Sequence, residues 1–296
     1  MNKTKNAIIL FAAMALAGIA TADDFAPLEP IELLEDEYDR PKSGVGKNGP
    51  CVALPLPALE ADFCTRKISR GLPDNTDPII TLSPGIYLYP CGEFVKADFI
   101  FNATDIAKEE GFDAGENTEI DLVVGYDHSF DKTTDWDVVF SFDYTCEFDR
   151  SGNGDGGHAN YIHASAALDD AFLSPEISGE WMLDGIHGQY YTLGFSRTFK
   201  FDDRLSLSLF FIEGLANDKY NAEDLGCDSW GFRETTLLAE LEWTLAGGLF
   251  TIRPYIAYGD HLNGHFRHAA RYYADEEAEH HVAQFYCGIA VKLPAF

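Results

Sequence analysis

The chain has 296 residues, with 49 Asp and Glu against 21 Lys and Arg, and a formal net charge of −28. This charge argues against nucleic acid as a partner, because phosphates need a cationic surface. The mean hydropathy of −0.15, with no long apolar run after the N-terminal segment, excludes a helical membrane protein. A membrane β-barrel is not excluded, because its alternating strands average to near-neutral hydropathy.

Residues 1–22 predict a secretory signal peptide. Lys3 and Lys5 form its charged start, residues 7–20 are almost wholly apolar or small, and Ala20-Thr21-Ala22 matches the A-x-A cleavage pattern. An N-terminal membrane anchor is the alternative, but it needs a longer apolar span. We therefore expect an exported protein.

Residues 23–56 predict a flexible acidic leader in the periplasm. Their acidic residues, their prolines and the glycines at 44, 46 and 49 leave few apolar side chains to bury. The remaining residues, 57–296, are expected to form a single barrel domain.

Apolar and polar residues alternate from about residue 57 onward. In the clearest run the even positions are Trp136, Val138, Phe140, Phe142, Tyr144, Cys146 and Phe148, while most odd positions are polar or acidic. Successive strand residues point to opposite faces, so such a run predicts a strand with one apolar and one polar face. Similar runs occupy 119–127, 173–183, 191–200, 237–245, 250–258 and 283–293, with less regular ones at 60–69, 80–89, 95–105, 158–168 and 205–212. We expect an all-β, antiparallel transmembrane β-barrel of about twelve strands, with ten as the alternative count.

Alternation alone does not say which face is inside, because a soluble barrel buries the apolar set and a membrane barrel turns it outward. Many runs reach ten residues or more, which suits tilted membrane strands. Long connections at 106–117, 150–157, 216–231 and 260–279 alternate with short ones at 131–134, 169–171, 201–203 and 246–248. The chain also stops at Phe296, directly after an amphipathic strand. These features favour an outer-membrane barrel, embedded in outer-membrane lipid and recognised by the barrel-assembly machinery through its C-terminal strand.

Residues 65–78, TRKISRGLPDNTDP, resemble the Arg-Gly and Asp-Pro region of the TorF-family porins and related outer-membrane β-barrel proteins. In that family the region links the first two barrel strands. Residues 119–126, EIDLVVGY, are similar in their place in the strand order, and the likeness covers most of 57–296. The resemblance implies an outer-membrane barrel and a channel, and it supplies no catalytic residues.

A lipid-facing apolar set has a polar set lining the lumen as its counterpart. The expected lipid-facing residues are Trp136, Phe140, Tyr144, Leu241, Trp243, Ile252, Ile256, Phe285 and Ile289. The expected lumen-lining residues are Asp98, Asp121, Asp127, Asp137, Asp143, Glu147, Glu176, Glu180, Glu240, Glu242 and Arg253. An acidic lumen attracts cations, so we expect a porin for small solutes with some cation preference. Two alternatives are a closed structural or adhesive barrel that works through its outer loops, and a soluble periplasmic barrel that binds a hydrophobic ligand.

The sequence contains no local catalytic signature, since neither GxSxG nor HExxH occurs. We expect no enzyme activity and no cofactor. Five of the nine histidines lie in or beside the last long loop, and His261, His265 and His268 are a weak candidate metal site. Their spacing matches no metal motif, so a solvated loop is the preferred interpretation.

The six cysteines become candidates for disulfide bonds once the chain is exported. Cys51 and Cys91 are expected near the periplasmic end of the barrel, and Cys146 and Cys227 near the outer end, which suggests these two pairings. Cys64 and Cys287 fall on the first and last strands, where their parity predicts opposite faces.

Overall fold

The computed structural model describes residues 54–69, 72–75, 78–89, 91–104, 113–130, 137–149, 157–169, 171–184, 188–225, 228–245, 248–261 and 283–293. The predicted signal peptide and all but the last three residues of the predicted leader lie outside these ranges, so both stay predictions.

Strands dominate the described part of the chain. They are β1 (Leu54–Cys64), β2 (Lys67–Ser69), β3 (Leu72–Asn75), β4 (Ile79–Tyr89), β5 (Glu93–Asn102), β6 (Asn117–Phe130), β7 (Asp137–Asp149), β8 (His158–Asp169), β9 (Pro175–Met182), β10 (Gln189–Lys200), β11 (Leu205–Ala216), β12 (Gly231–Leu245), β13 (Phe250–Asp260) and β14 (Ala283–Leu293). A helix, α1 (Asp218–Leu225), lies between β11 and β12. No helical segment in the described ranges combines the length and the apolarity needed to cross a membrane.

Twelve of these strands form one closed antiparallel barrel. Each strand pairs with its neighbours in the order β1-β14-β13-β12-β11-β10-β9-β8-β7-β6-β5-β4, and β4 pairs with β1. Pairing of β1 with β14 closes the ring through six residue pairs, from Leu59↔Leu293 to Cys64↔Gly288. The prediction of an all-β barrel with about twelve strands is therefore confirmed. The short strands β2 and β3 form a separate hairpin in the connection from β1 to β4.

The register keeps like side chains together from strand to strand. Tyr144 of β7 lies between Val124 of β6 and Ile162 of β8, whereas the adjacent Asp143 lies opposite His163 of β8. Because side chains alternate with a period of two, a slip of one residue would exchange the faces of a whole strand. The wall thus has two surfaces, which we call the apolar face (Tyr144 and its register partners) and the polar face (Asp143 and its register partners).

The connections differ at the two ends of the barrel. One end, the turn end, has the short connections 90–92, 131–136, 170–174, 201–204 and 246–249, and the other, the loop end, has the longer connections such as 103–116, 217–230 and 261–282. Gly92 shows how tight the turn end is: its φ is +92°, and a Cβ there would collide with the carbonyl of Asp127. Only glycine tolerates that position without strain. The predicted alternation of long and short connections is present.

Strand β1 begins at Leu54, three residues before the predicted start of the barrel at residue 57. Pro55 and Pro57 pair with β4, but β14 reaches only Leu59–Cys64 of β1. At both prolines, β14 does not pair with the other edge of β1. A proline is tolerated at such an edge because no backbone N–H is needed there for a hydrogen bond to a neighbouring strand. This edge position admits both prolines to the strand.

Candidate functional site

The predicted acidic residues share the polar face of the wall. The register aligns on this face Asp98, Asp121, Asp127, Asp137, Asp143, Glu147, Glu176, Glu180, Glu240 and Glu242, together with Arg253. The apolar face holds Phe140, Tyr144, Leu241, Trp243, Ile252, Ile256, Phe285 and Ile289. Trp136, also predicted to face lipid, lies outside the described residues.

The two faces differ sharply in exposure. On the apolar face Phe285 is 73% exposed, Ile256 56% and Phe140 47%. On the polar face the side chains of Asp98 and Asp143 are each only 16% exposed. The large apolar side chains of this protein therefore cover an accessible surface, while its carboxylates are mostly sheltered.

Carboxylates gather in two adjacent rows of the polar face near the loop end. Asp98, Asp121 and Glu147 follow one another across β5, β6 and β7, and Glu119 lies opposite Asp149 in the next row. Oxygens of Glu119, Glu147 and Asp149 lie within 4.8 Å of one another. Lys96 offsets one of these charges, since its Nζ lies 3.1 Å from Oδ2 of Asp98. The sequence analysis missed Glu119 and Asp149, which only the register of β6 against β7 brings together.

A histidine lies between two acidic strands on the same face, farther from the loop end. His163 of β8 lies in register between Asp143 of β7 and Glu180 of β9. Its Nδ1 is 3.1 Å from Oδ2 of Asp143. The sequence analysis did not single out His163, although its odd position in β8 shares the parity of the polar side chains.

Two side chains of β13 reach over β14 to β1. Nη2 of Arg253 donates a 2.7 Å hydrogen bond to Oε1 of Glu60, and its Nη1 lies 3.9 Å from Oε1 of Glu240. The hydroxyl of Tyr255 donates a 2.9 Å bond to Oδ2 of Asp62.

The residues of β14 that lie beneath these two contacts are small. Ala290 is in register with Arg253, and Gly288 is in register with Tyr255. A Cβ on Gly288 would collide with the Tyr255 hydroxyl and ring. These small residues make room for a brace across the seam that closes the barrel.

Helix α1 is anchored to the polar face at the loop end. Asn217 caps the helix, because its Oδ1 accepts a 2.8 Å bond from the Tyr220 backbone N–H and a 3.1 Å bond from that of Gln189. Tyr220 is 1% exposed, and its hydroxyl donates a 3.2 Å bond to Oε1 of Glu180. Asn221, which is fully buried, donates to the carbonyls of Ala216 and Ser229. The 217–230 connection is thus fixed onto the wall of β9–β12. The sequence analysis predicted a long loop here and did not predict the helix.

A buried cation supports this connection. Arg233, fully buried, lies 5.5 Å from the ring centre of Tyr220 and 5.9 Å from that of Tyr190. His261 donates from Nδ1 to the Arg233 carbonyl and is 1% exposed. Burial lowers the pKa of His261, the charge of Arg233 lowers it further, and the hydrogen bond opposes the shift.

His261 is buried, which differs from the solvated position that the sequence predicted for it. His265 and His268, the other members of the weak metal candidate, lie outside the described residues. One ring nitrogen of His261 is already occupied by the Arg233 carbonyl. A neutral imidazole packed in this way has a structural role in the loop end.

The cysteines correct one predicted pairing. Cys146 is a free thiol on the apolar face of β7, opposite Leu122 and Asn160, so the pairing of Cys146 with Cys227 is wrong. Its side chain points away from the polar face on which the loop-end residues pack. Cys91 is disulfide-bonded, with a partner outside the described residues, so the pairing with Cys51 stays a prediction. Cys64 is a buried free thiol and Cys287 an exposed one on the opposite face.

Comparison with known proteins finds similarity in solved structures alone. No protein-family model and no curated protein sequence matches the chain. The KdgM porin in complex with disordered oligogalacturonate aligns with a TM-score of 0.45 and 9% identity, over 81% of this chain and 98% of that one. The NanC porin aligns with a TM-score of 0.45 and 13% identity, over 79% and 98%. OprD of Pseudomonas aeruginosa aligns with a TM-score of 0.37 and 11% identity, over 81% and 65%.

Proposed function

We propose that this protein is an outer-membrane β-barrel that lets small solutes diffuse passively, with some preference for cations. The observation that carries the proposal is the exposed apolar face of a closed barrel, with residues such as Phe285 and Ile256 more than half exposed. Monomeric soluble proteins rarely expose contiguous apolar patches beyond a few hundred Å². Eleven of the twelve barrel strands expose at least one large apolar side chain on this face, which fits a lipid environment.

The length of the strands supports a membrane-spanning arrangement. The thirteen residues of β7 correspond to roughly 40 Å of strand, or about 30 Å of height at a typical barrel tilt. An apolar band of about 25 Å fits within that height. The soluble alternative with a hydrophobic ligand in its core is not favoured, because the large apolar side chains lie on the exposed face.

In this proposal the polar face lines the lumen. Barrels of eight strands have packed interiors, and barrels of sixteen or more enclose aqueous channels, so twelve strands suit a narrow pore. Ten predicted lumen-lining carboxylates outnumber the four described cations that the register places on the polar face, Lys96, Lys200, Arg253 and Lys292, which gives the interior a negative potential that attracts cations.

The remaining parts of the proposal concern export and assembly. The predicted signal peptide would send the chain to the periplasm, and the turn end would face that compartment. We also predict that the barrel-assembly machinery recognises the last strand, and that the chain is a member of the TorF-family porins.

A closed barrel that works through its loops is the second candidate. It is favoured by one observation: Tyr220 and Asn221 of the 217–230 connection are fully buried against the loop end of the wall. A connection fixed in this way would narrow the mouth of the barrel, as a closed barrel requires.

Conductance in planar bilayers separates the two candidates. We expect stepwise openings and, in a KCl gradient, a reversal potential that shows cation preference. Asp121→Asn should weaken that preference, whereas Asp203→Asn, in the exposed turn after β10, should leave it unchanged and is the matched control. Absence of openings would favour the closed barrel, and a preference for anions would contradict the acidic lumen.

A further inference from the structure

We propose that His163 is the residue that makes the ion selectivity of the pore depend on pH. This inference rests on the proposed function, because it assigns a selectivity-determining group to the polar face that lines the lumen. Protonation of His163 would reduce the cation preference, and deprotonation would restore it.

The wall around His163 is acidic. Strands β7, β8 and β9 contain no lysine and no arginine. Their polar face carries seven acids, which are Asp137, Asp143, Glu147, Asp149, Asp169, Glu176 and Glu180. The one other histidine on these strands, His158, lies opposite Phe148 on the apolar face. Protonation of His163 is therefore the single way to place a positive charge on this part of the polar face.

Acidic side chains lie on both sides of His163 in its row of the polar face. Asp143 faces His163 from β7, with its Oδ2 3.1 Å from Nδ1, and Glu180 faces it from β9. Glu176 lies on the same face of β9, opposite Ala167. From the 217–230 connection, Tyr220 reaches the same row and donates to Glu180. The side chain of His163 is 34% exposed, so protons reach it from the water on the polar face.

The imidazole is the side chain whose ordinary charge change falls near neutral pH. An imidazole has an unperturbed pKa of about 6.5, so it changes charge between about pH 5 and pH 8, a range in which carboxylates in general stay ionised. One added charge at about 5 Å in a water-like dielectric changes the local cation concentration about fourfold. We therefore expect the permeability ratio of K⁺ to Cl⁻ to fall several-fold as the pH decreases across this range.

The test is the reversal potential of purified, folded protein in a KCl gradient, measured at about pH 8 and about pH 5.5. Wild type should lose cation preference at the lower pH, and His163→Gln should keep its preference at both. His163→Lys should show the reduced preference at both pH values, since it carries the charge permanently. His158→Gln, on the apolar face of the same strand, is the matched control and should behave as wild type.

The outcomes separate the role of His163 from the existence of the pore. A wild-type ratio that does not change with pH, or a change that persists in His163→Gln, would overturn the role of His163 and leave the pore intact. If His163→Gln fails to fold, His163→Lys is compared with wild type instead. The proposal requires that the two proteins have equal K⁺ to Cl⁻ permeability ratios at the lower pH and different ratios at the higher pH. Absence of channels in the wild type would overturn the pore, and this inference with it.

Discussion

Replacing Arg253 with glutamine would break the brace that joins β13 to β1. The guanidinium loses a 2.7 Å hydrogen bond to Glu60 and a 3.9 Å ion pair with Glu240. Ala290 of β14, which lies between these strands in register with Arg253, has no polar group that could replace the contact. The substitution leaves two carboxylates without their shared cation.

The magnitude follows from the exposure of the partners. A hydrogen bond to a charged group contributes about 1.5–3 kcal/mol. Because the side chains of Arg253 and Glu60 are 23% and 33% exposed, we take the contribution of this bond as about 1.5 kcal/mol. The longer ion pair adds about 0.5 kcal/mol. We therefore expect Arg253→Gln to reduce the free energy of unfolding by about 2 kcal/mol.

Urea unfolding in lipid vesicles, followed by tryptophan fluorescence, measures this loss. Lys200→Gln is the control, since it removes one positive charge at the exposed end of β10 and should change stability by less than about 0.5 kcal/mol. If both substitutions lowered the free energy of unfolding equally, the specific contacts of Arg253 would not stabilise the barrel, and the loss would be a general effect of charge.

Three further predictions concern other parts of the barrel. Gly288→Ala should destabilise the barrel by about 1–3 kcal/mol, because its Cβ would collide with Tyr255 and come 2.6 Å from the Phe63 carbonyl oxygen. In the same unfolding assay, Gly194→Ala should be tolerated, as its Cβ would lie 3.7 Å from the nearest atom. The lowered pKa of His261 predicts stability that is present above the unfolded pKa and is lost as the pH falls through the folded value. Unfolding at several pH values should show a smaller acid-induced loss for His261→Gln than for wild type, and an unchanged loss would contradict this. Peptide mapping without reduction should find Cys146 as a free thiol, whereas its recovery in a disulfide-linked peptide would contradict the structure.

Alternation along the chain predicted the strands and their two faces. The period of two in residues 136–148 matches the two faces of β7 almost residue for residue. The reason is that successive residues of a strand point to opposite faces of the wall. The same parity separated Asp143 from Tyr144 without any knowledge of strand pairing.

Contacts between distant strands could not be predicted in this way. The braces of Arg253 and Tyr255 depend on β14 lying between β13 and β1, and on small residues at 288 and 290. The anchoring of Tyr220 depends on a capped helix inside a connection whose polar composition predicted only a loop. Pairing register and loop conformation are set by tertiary packing, which a single period of two does not encode.

The orientation of the wall in the membrane is the central claim, and spin labels along β7 test it most directly. Single cysteines at 140, 141, 142, 143 and 144 would carry a nitroxide in lipid vesicles, in a variant whose Cys64, Cys146, Cys227 and Cys287 are replaced by serine. Collision rates with oxygen should peak at 140, 142 and 144, where Phe140, Phe142 and Tyr144 form the apolar face, and collision rates with a water-soluble nickel complex should peak at 141 and 143. The reverse pattern, with the nickel complex reaching the even positions and oxygen the odd ones, would contradict a barrel that turns its apolar face to lipid.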